Sequence, residues 1–312
     1  WGHEVAELAT YAQLVLRDGG FSEVYSDLVS RLNEIPTVKV AYLEPIALPP
    51  SGFQQASESG KLSCSGLNPP ADLGDYFSSQ GYWGPPPVGL NVSTIQIVGG
   101  SAGHKVRVID IEGGMYPHFE IPQLFMKTGK TYDQYANHGT SVLGIIAGKD
   151  DGLGIRGLVP AAKVGLRSIF SAQYTTWADA NKDSFNVSSN IYWAAKQAQN
   201  GVVLIELQRS GPEEIDCECG QCTNLPVEYW PAEFDAIQTA VGNGVTVIEP
   251  AGNGGRSLDH PMLGGAFDRK YRDSGAVLVT GSKSDGVTTA RGRCSQLGRK
   301  RSNFQFIKNN SL

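Results

Sequence analysis

The sequence predicts an α/β fold with parallel strands, large enough for one main domain and a small appendage. The apolar run from Val106 to Ile109, and a second run that begins at Val245, are typical of strands buried on both faces in a parallel sheet. The segment from Thr140 to Ala147 contains small and aliphatic residues and is followed by Gly148, which is typical of a helix packed closely on such a sheet. A chain of 312 residues can bury a core of this kind.

The first elements along the chain predict a separate α+β unit over residues 1–46. Apolar residues recur with a helical period from Phe21 to Leu32, and Thr37 to Leu43 alternates as a strand does. Prolines at 45, 49 and 50 end that strand. A small, unrelated α/β lobe is the alternative interpretation. Residues 47–102, rich in Gly, Ser and Pro, are predicted to be a linker that wraps the main domain.

Two side chains point to chemistry at one edge of the predicted sheet. Asp110 follows the first apolar run, and His138 lies 28 residues later, at the predicted start of the next helix. Ligands of parallel sheets gather beyond the carboxyl ends of the strands. We therefore expect the Asp110 carboxylate to lie within hydrogen-bond reach, or a few ångströms, of a His138 ring nitrogen.

A third signal is a glycine-rich loop after the strand that begins at Val245. This loop, Ala251-Gly252-Asn253-Gly254, carries one amide side chain, and the Asn253 amide can donate a hydrogen bond to a developing oxyanion. The segment from Pro231 to Val241 that precedes the strand is predicted to be a core-facing helix that stops at Gly242.

In this order, the Asp110 strand, the Asn137-His138-Gly139-Thr140 segment and the Asn253 loop resemble the subtilisin-like serine proteases. The resemblance covers residues 103–290 and implies a doubly wound parallel sheet and endopeptidase activity on polypeptide substrates. It implies that Asp110 orients His138, that His138 acts as general base and then acid, and that Asn253 stabilises the oxyanion. Ser210 and Gly211 end a segment that resembles the wall of the specificity pocket, and both are candidate substrate-binding residues. The unit at residues 1–46 resembles the end of a propeptide, which would act as an intramolecular inhibitor.

The catalytic serine of that family has no counterpart in this sequence. Only 59 residues follow Asn253, fewer than the roughly 66 that separate asparagine and serine in subtilisin, and none forms a Gly-Thr-Ser-x-Ala segment. Ser282 and Ser284 are weaker alternatives, because they follow an apolar run as a polar strand end would. The peptidase domain is therefore predicted to be incomplete at its C-terminus, with a basic, divergent tail over residues 291–312. We expect that this chain does not hydrolyse peptides at a protease-like rate; a non-catalytic protein that binds peptide along the cleft remains the alternative.

Composition limits the partners. The chain has 26 basic and 31 acidic residues and a formal charge of −5. Nucleic acid is therefore not expected as its principal partner. The sequence contains no apolar run of 18 residues, so no membrane span is expected. Cys217, Cys219 and Cys222 favour a disulfide in an extracellular protein over a metal site, which is consistent with secretion. No cofactor is predicted with certainty; a structural calcium is implied only by the resemblance, since no acidic calcium loop stands out.

Overall fold

A computed structural model describes residues 11–14, 23–49, 68–86, 89–95, 98–170, 186–212, 223–255, 257–282 and 305–307. The helices in these residues are α1 (Glu23–Asn33), α2 (Val92–Ile95), α3 (Asp133–Ala147), α4 (Val187–Ala198) and α5 (Pro231–Gly242). The strands are β1 (Arg107–Glu112), β2 (Met126–Thr128), β3 (Lys163–Ser168), β4 (Val202–Ile205), β5 (Gln208–Ser210), β6 (Asn224–Pro226), β7 (Thr246–Pro250), β8 (Val277–Ser282) and β9 (Gln305–Ile307).

The main sheet contains seven strands in the order β2-β3-β1-β4-β7-β8-β9, and every neighbouring pair is parallel. Strand β1 lies inside the sheet, between β3 and β4. Its register places Asp110 opposite Leu166 of β3 and Leu204 of β4. Strands β5 and β6 form a separate antiparallel pair.

Helices cover both faces of the sheet, so the predicted doubly wound α/β architecture is confirmed. On one face, α4 and α5 pack against β1, β4 and β7, and we call their shared apolar cluster the main core. On the other face, α3 packs against β1 and β3 in a second core that contains Leu143, Val108 and Leu166. Because the side chains of a strand alternate between faces, Ile109 and Ile111 enter the main core, while Val108 enters the second.

The structure confirms two of the helices predicted from the sequence and contradicts one predicted strand. Helix α1 confirms the periodic segment that was expected from Phe21 to Leu32, and α5 confirms the expected helix from Pro231. The strand expected over Thr37 to Leu43 is wrong, because that segment pairs with no strand in the described part of the chain. Its backbone is held by Asn33 instead, whose side-chain amide accepts from the Ala41 N–H at 2.8 Å and donates to the Ala41 carbonyl at 2.9 Å.

Residues just after this segment belong to the main domain's interior. Ala47 is 1% exposed and lies in the main core, with Ile46 and Leu48 packed against it. The boundary between residues 46 and 47 remains a prediction. The cysteine cluster at 217, 219 and 222, and the basic segment from 288 to 301, lie outside the described residues. None of the helices in the described ranges has the length and apolar character needed to span a bilayer.

Candidate active site

The His138 side chain contacts the carboxylate of Glu112. His138 Nδ1 and Glu112 Oε1 are hydrogen-bonded, and the Glu112 side chain is completely buried, whereas that of His138 is 14% exposed. Glu112 is the last residue of β1, and its Oε2 accepts the Gly113 N–H at 2.6 Å. Burial raises the pKa of the Glu112 carboxyl, and the Gly113 hydrogen bond opposes that rise. The site is therefore a buried carboxyl with a partly accessible imidazole at the carboxyl edge of the sheet.

The residues that follow His138 explain how helix α3 comes so close to β1. A Cβ atom on Gly139 would lie 2.2 Å from the Gly114 carbonyl oxygen and 3.1 Å from Glu112 Cγ, so only glycine fits there. The Thr140 hydroxyl donates to the Ala136 carbonyl at 2.7 Å and accepts the Tyr116 N–H at 2.9 Å. Thr140 thereby joins the helix to the loop after β1, and this loop brings Glu112 and His138 together.

The predicted hydrogen bond between Asp110 and His138 is not formed. Asp110 is 0% exposed, and neither of its carboxylate oxygens has a hydrogen-bond partner among the described residues. Two differences explain this correction. Strand β1 continues to Glu112 instead of ending near Asp110, and α3 begins at Asp133, so His138 lies in the second turn of the helix. Asp110 is thus two residues too deep in the sheet.

The pKa of the Asp110 carboxyl is raised well above its ordinary value by burial, and further by the negative charges of Glu112 and Glu206. Asp110 is therefore favoured in its neutral form. Burial raises the pKa of Glu112 in the same direction, but Glu112, unlike Asp110, accepts the Gly113 N–H and contacts the His138 imidazole.

A second carboxyl, Glu206, lies beside this pair. Glu206 directly follows β4, and its backbone N–H donates to the Ile111 carbonyl at 3.0 Å. Burial raises the pKa of Glu206 to about 7; the charge of His138 lowers it and that of Glu112 raises it. Neither Glu112 nor Glu206 was identified from the sequence. A signal was present, however, because both are acidic residues at the carboxyl end of an apolar strand.

The Asn253 loop reaches the same edge of the sheet. The Asn253 backbone N–H donates to the Gln208 side-chain oxygen at 2.9 Å, and Asn253 is partly buried. Gln208 begins β5, two residues after Glu206, so one short segment links the Asn253 loop to the carboxyl cluster. Gln208 was not identified from the sequence, and it links the Asn253 loop to the segment that carries Glu206. The role of Asn253 as an oxyanion donor remains a prediction.

The predicted substrate-binding residues lie further along β5. Ser210 is exposed and ends the strand opposite Asn224, and the Gly211 N–H donates to the Thr223 carbonyl at 2.6 Å. A Cβ atom on Gly211 would lie 2.3 Å from Leu225 Cδ1, so glycine is required for this approach. Their role in substrate binding remains a prediction.

The N-terminal segment pairs with β5 from the other side. Leu48 and Gln208 form an antiparallel bridge, with N–H to carbonyl distances of 2.9 and 2.8 Å in the two directions. Next along the chain, Pro49 Cγ lies 3.1 Å from the position that a Cβ atom would take on Gly113. The extended segment therefore runs from β5 to the loop that follows Glu112.

A buried arginine anchors the same segment. Arg209 is 1% exposed; its guanidinium contacts Glu44 and donates to Glu233 Oε1 at 2.8 Å. Burial raises the pKa of Glu233 to about 7; Arg209 lowers it and Glu44 raises it. The Tyr42 hydroxyl also accepts the Ala232 N–H at 3.2 Å. Residues 42–48 are thus held on the main domain by polar contacts as well as by apolar packing.

Within the described residues, no group of three or more His, Cys, Asp or Glu side chains is arranged to hold a metal ion. The Ser282 alternative is disfavoured by topology. Strand β8 is separated from β1 by β4 and β7, so its backbone lies about 14 Å from that of β1.

Comparison with solved structures returned proteases. The chain is similar to a protease from Pseudoalteromonas arctica, with 18% identity and a TM-score of 0.49 over 73% of this chain and 70% of the other. It is similar to the nisin leader peptidase from Lactococcus lactis, with 16% identity and a TM-score of 0.48 over 73% and 68% of the two chains. A third similar structure is the epidermin leader peptide processing serine protease from Staphylococcus aureus, with 17% identity and a TM-score of 0.45 over 68% and 54%.

No family model matches the sequence, and no curated protein matches it. At such low identities and TM-scores, function has to be argued from the side chains of the site.

Proposed function

We propose that this chain carries the acid–base part of a subtilisin-like serine endopeptidase. The observation that supports this most strongly is the contact between buried Glu112 and partly accessible His138 at the carboxyl edge of a parallel sheet. The Asn253 loop is held at the same edge through Gln208. The order acid, histidine, asparagine along the chain is the order of that family.

Glu112 takes the role that the sequence assigned to Asp110. Its Oε1 accepts a hydrogen bond from His138 Nδ1–H, and in this tautomer Nε2 is the ring nitrogen that takes a proton from an attacking hydroxyl. The protonated ring then returns this proton to the leaving amine. Asn253 supplies a side-chain amide to the oxyanion, an interaction worth about 3 to 4 kcal/mol in the transition state when such a donor is well placed.

The attacking serine does not lie in these 312 residues, so we expect the chain as given not to hydrolyse peptides at a protease-like rate. In subtilisin, loss of the serine alone lowers turnover by about 2 × 10⁶, because the histidine has no hydroxyl to activate. A residual acceleration of roughly 10³ to 10⁴ over water is the most that the rest of such a site supplies.

The bridge between Leu48 and Gln208 supports a peptide-binding cleft along β5. An extended segment already adds to this strand by antiparallel main-chain hydrogen bonds, which is how polypeptide ligands bind by β-addition. We propose that the unit at residues 1–46, which leads into this segment, acts as an intramolecular inhibitor. The same bridge favours the second candidate function, a non-catalytic protein that binds peptide in this cleft.

The experiment that separates the two functions uses a fluorophosphonate probe, which labels activated serines. The 312-residue chain should remain unlabelled. If a reading frame downstream of codon 290 encodes a Gly-Thr-Ser segment, the chain extended with it should be labelled.

Labelling of that extended chain should be lost in Glu112→Ala and His138→Ala and retained in Asp110→Asn, the matched control on the same strand. Absence of a Gly-Thr-Ser segment from every frame would favour the peptide-binding function. Labelling of a serine in the 312-residue chain that depends on His138 would contradict the proposal.

Secretion and a structural calcium are further parts of the proposal. Calcium is proposed only from the resemblance to the subtilisin-like proteases, in which oxygen ligands would hold it. Its removal by a chelator should lower the thermal midpoint if the site is occupied.

A further inference from the structure

Glu206 and Glu112 occupy neighbouring positions on two adjacent strands. The ladder pairs Ile111 with Ile205, and the hydrogen bond from the Glu206 N–H to the Ile111 carbonyl, 3.0 Å long, continues it by one residue. The next position on each strand is a glutamate. The two side chains are therefore level with one another at the carboxyl edge of the sheet.

Both side chains also point to the same face. Val108 of β1 and Val202 of β4 pack in the second core, beneath α3. Since side chains alternate along a strand, Glu112 and Glu206 share that face with them. Helix α3 lies over this face and presents His138, whose imidazole is in hydrogen-bond contact with Glu112 and whose charge lowers the pKa of Glu206.

Asp110 and Tyr135, two other titratable groups near His138, do not supply a negative charge as Glu206 does. From β1, Asp110 is buried, and its pKa is raised well above the ordinary value. From α3, Tyr135 has its pKa raised to about 12, mainly by burial and then by Tyr132 and Glu112, so it is neutral near pH 7. Glu206 is partly buried, and no hydrogen bond within the described residues assigns its carboxyl another role in the fold.

We propose that Glu206 is a positioning residue for the peptidase reaction, a second carboxylate that stabilises His138 in its protonated form from the β4 side. The role rests on the proposed function, in which His138 takes a proton from the nucleophile. Glu112 holds Nδ1, and Glu206 adds negative charge where the imidazolium forms. An opposite charge within about 4 to 6 Å favours the charged form of a group by roughly one to three pKa units.

The test is the titration of His138 between pH 5 and 9, measured by NMR on the histidine-labelled 312-residue chain. The His138 resonance is assigned by its loss in His138→Gln. Glu206→Gln should lower the His138 pKa by about one unit, and Glu112→Gln should lower it as well. The matched control is Glu249→Gln, which changes a fully buried carboxyl on β7 that shares the opposite face with Val247. This control should leave the His138 titration unchanged.

A reciprocal measurement covers the case in which Glu206→Gln does not fold. In His138→Gln, the Glu206 carboxyl should titrate at a higher pH than in the parent chain, because the positive charge that lowers its pKa has been removed. An unchanged His138 titration in folded Glu206→Gln, or an unchanged Glu206 titration in His138→Gln, would overturn the proposal. Neither measurement depends on peptide hydrolysis, so failure of the endopeptidase assignment would be seen separately, in the labelling experiment.

Discussion

Replacing Asp110 should stabilise the protein, although the sequence assigned this residue a catalytic role. Asp110 is fully buried between Leu166 and Leu204 on the neighbouring strands, and its two carboxylate oxygens have no hydrogen-bond partner among the described residues. A buried polar group without a partner costs about 1 to 3 kcal/mol. Valine is only slightly larger than aspartate and suits a strand. Asp110→Val should therefore raise the free energy of unfolding at pH 8 by about 1 to 3 kcal/mol.

The gain should depend on pH, and its sign follows from the raised pKa of Asp110. A carboxyl whose pKa is higher in the folded state supports folding fully below its unfolded pKa, and loses that contribution as the pH rises towards the folded value. The parent chain is therefore penalised most at high pH. Asp110→Val should gain less at pH 4 than at pH 8. Asp110→Asn, which removes the charge but keeps a polar group, should show the same trend with a smaller gain.

The assay is urea unfolding followed by tryptophan fluorescence at the two pH values, combined with the NMR titration of His138 in each variant. Glu112→Gln is the comparison, because it should lower the His138 pKa. The reasoning would be refuted if Asp110→Val lost stability at pH 8 and also lowered the His138 pKa, since both effects would show that Asp110 holds the imidazole in solution.

Three further predictions follow from the same buried contacts. Glu206 and Glu233 each have a pKa raised from 4.5 to about 7, so the free energy of unfolding should fall between pH 4.5 and pH 7. For Glu206 this fall is at most about 3 kcal/mol, because the side chain keeps some contact with solvent. Denaturant midpoints that stay the same across this pH range would be inconsistent with the prediction. Arg209→Met should cost about 3 to 5 kcal/mol by leaving buried Glu233 unpaired, and adding Glu233→Leu should restore part of the loss. Gly139→Ala should destabilise by about 1 to 3 kcal/mol because its Cβ meets backbone. Gly144→Ala in the same helix meets only a side-chain end at 3.2 Å and should be close to neutral; equal losses in thermal denaturation would contradict the steric argument.

The sequence by itself determined the class of fold and most of the elements around the site. Apolar runs such as those before Asp110 and Asn253 predict buried parallel strands, because such strands are covered on both faces. The helical segment from Thr140 to Ala147 and its end at Gly148 could also be predicted, since small residues and a terminal glycine act on the backbone nearby. These features depend on residues close together in the chain.

Only the tertiary structure decided which carboxyl serves His138. Asp110 and Glu112 are two residues apart on one strand, so alternation places both on the same face, and no local pattern distinguishes them. Which of the two contacts His138 depends on where β1 ends and on the position of α3 along the strand. Both are determined by contacts between distant segments, such as the close approach of Gly139 to Gly114. Glu206 became part of the site for the same reason, because the parallel register of β1 and β4 brings together glutamates that are 94 residues apart in the sequence.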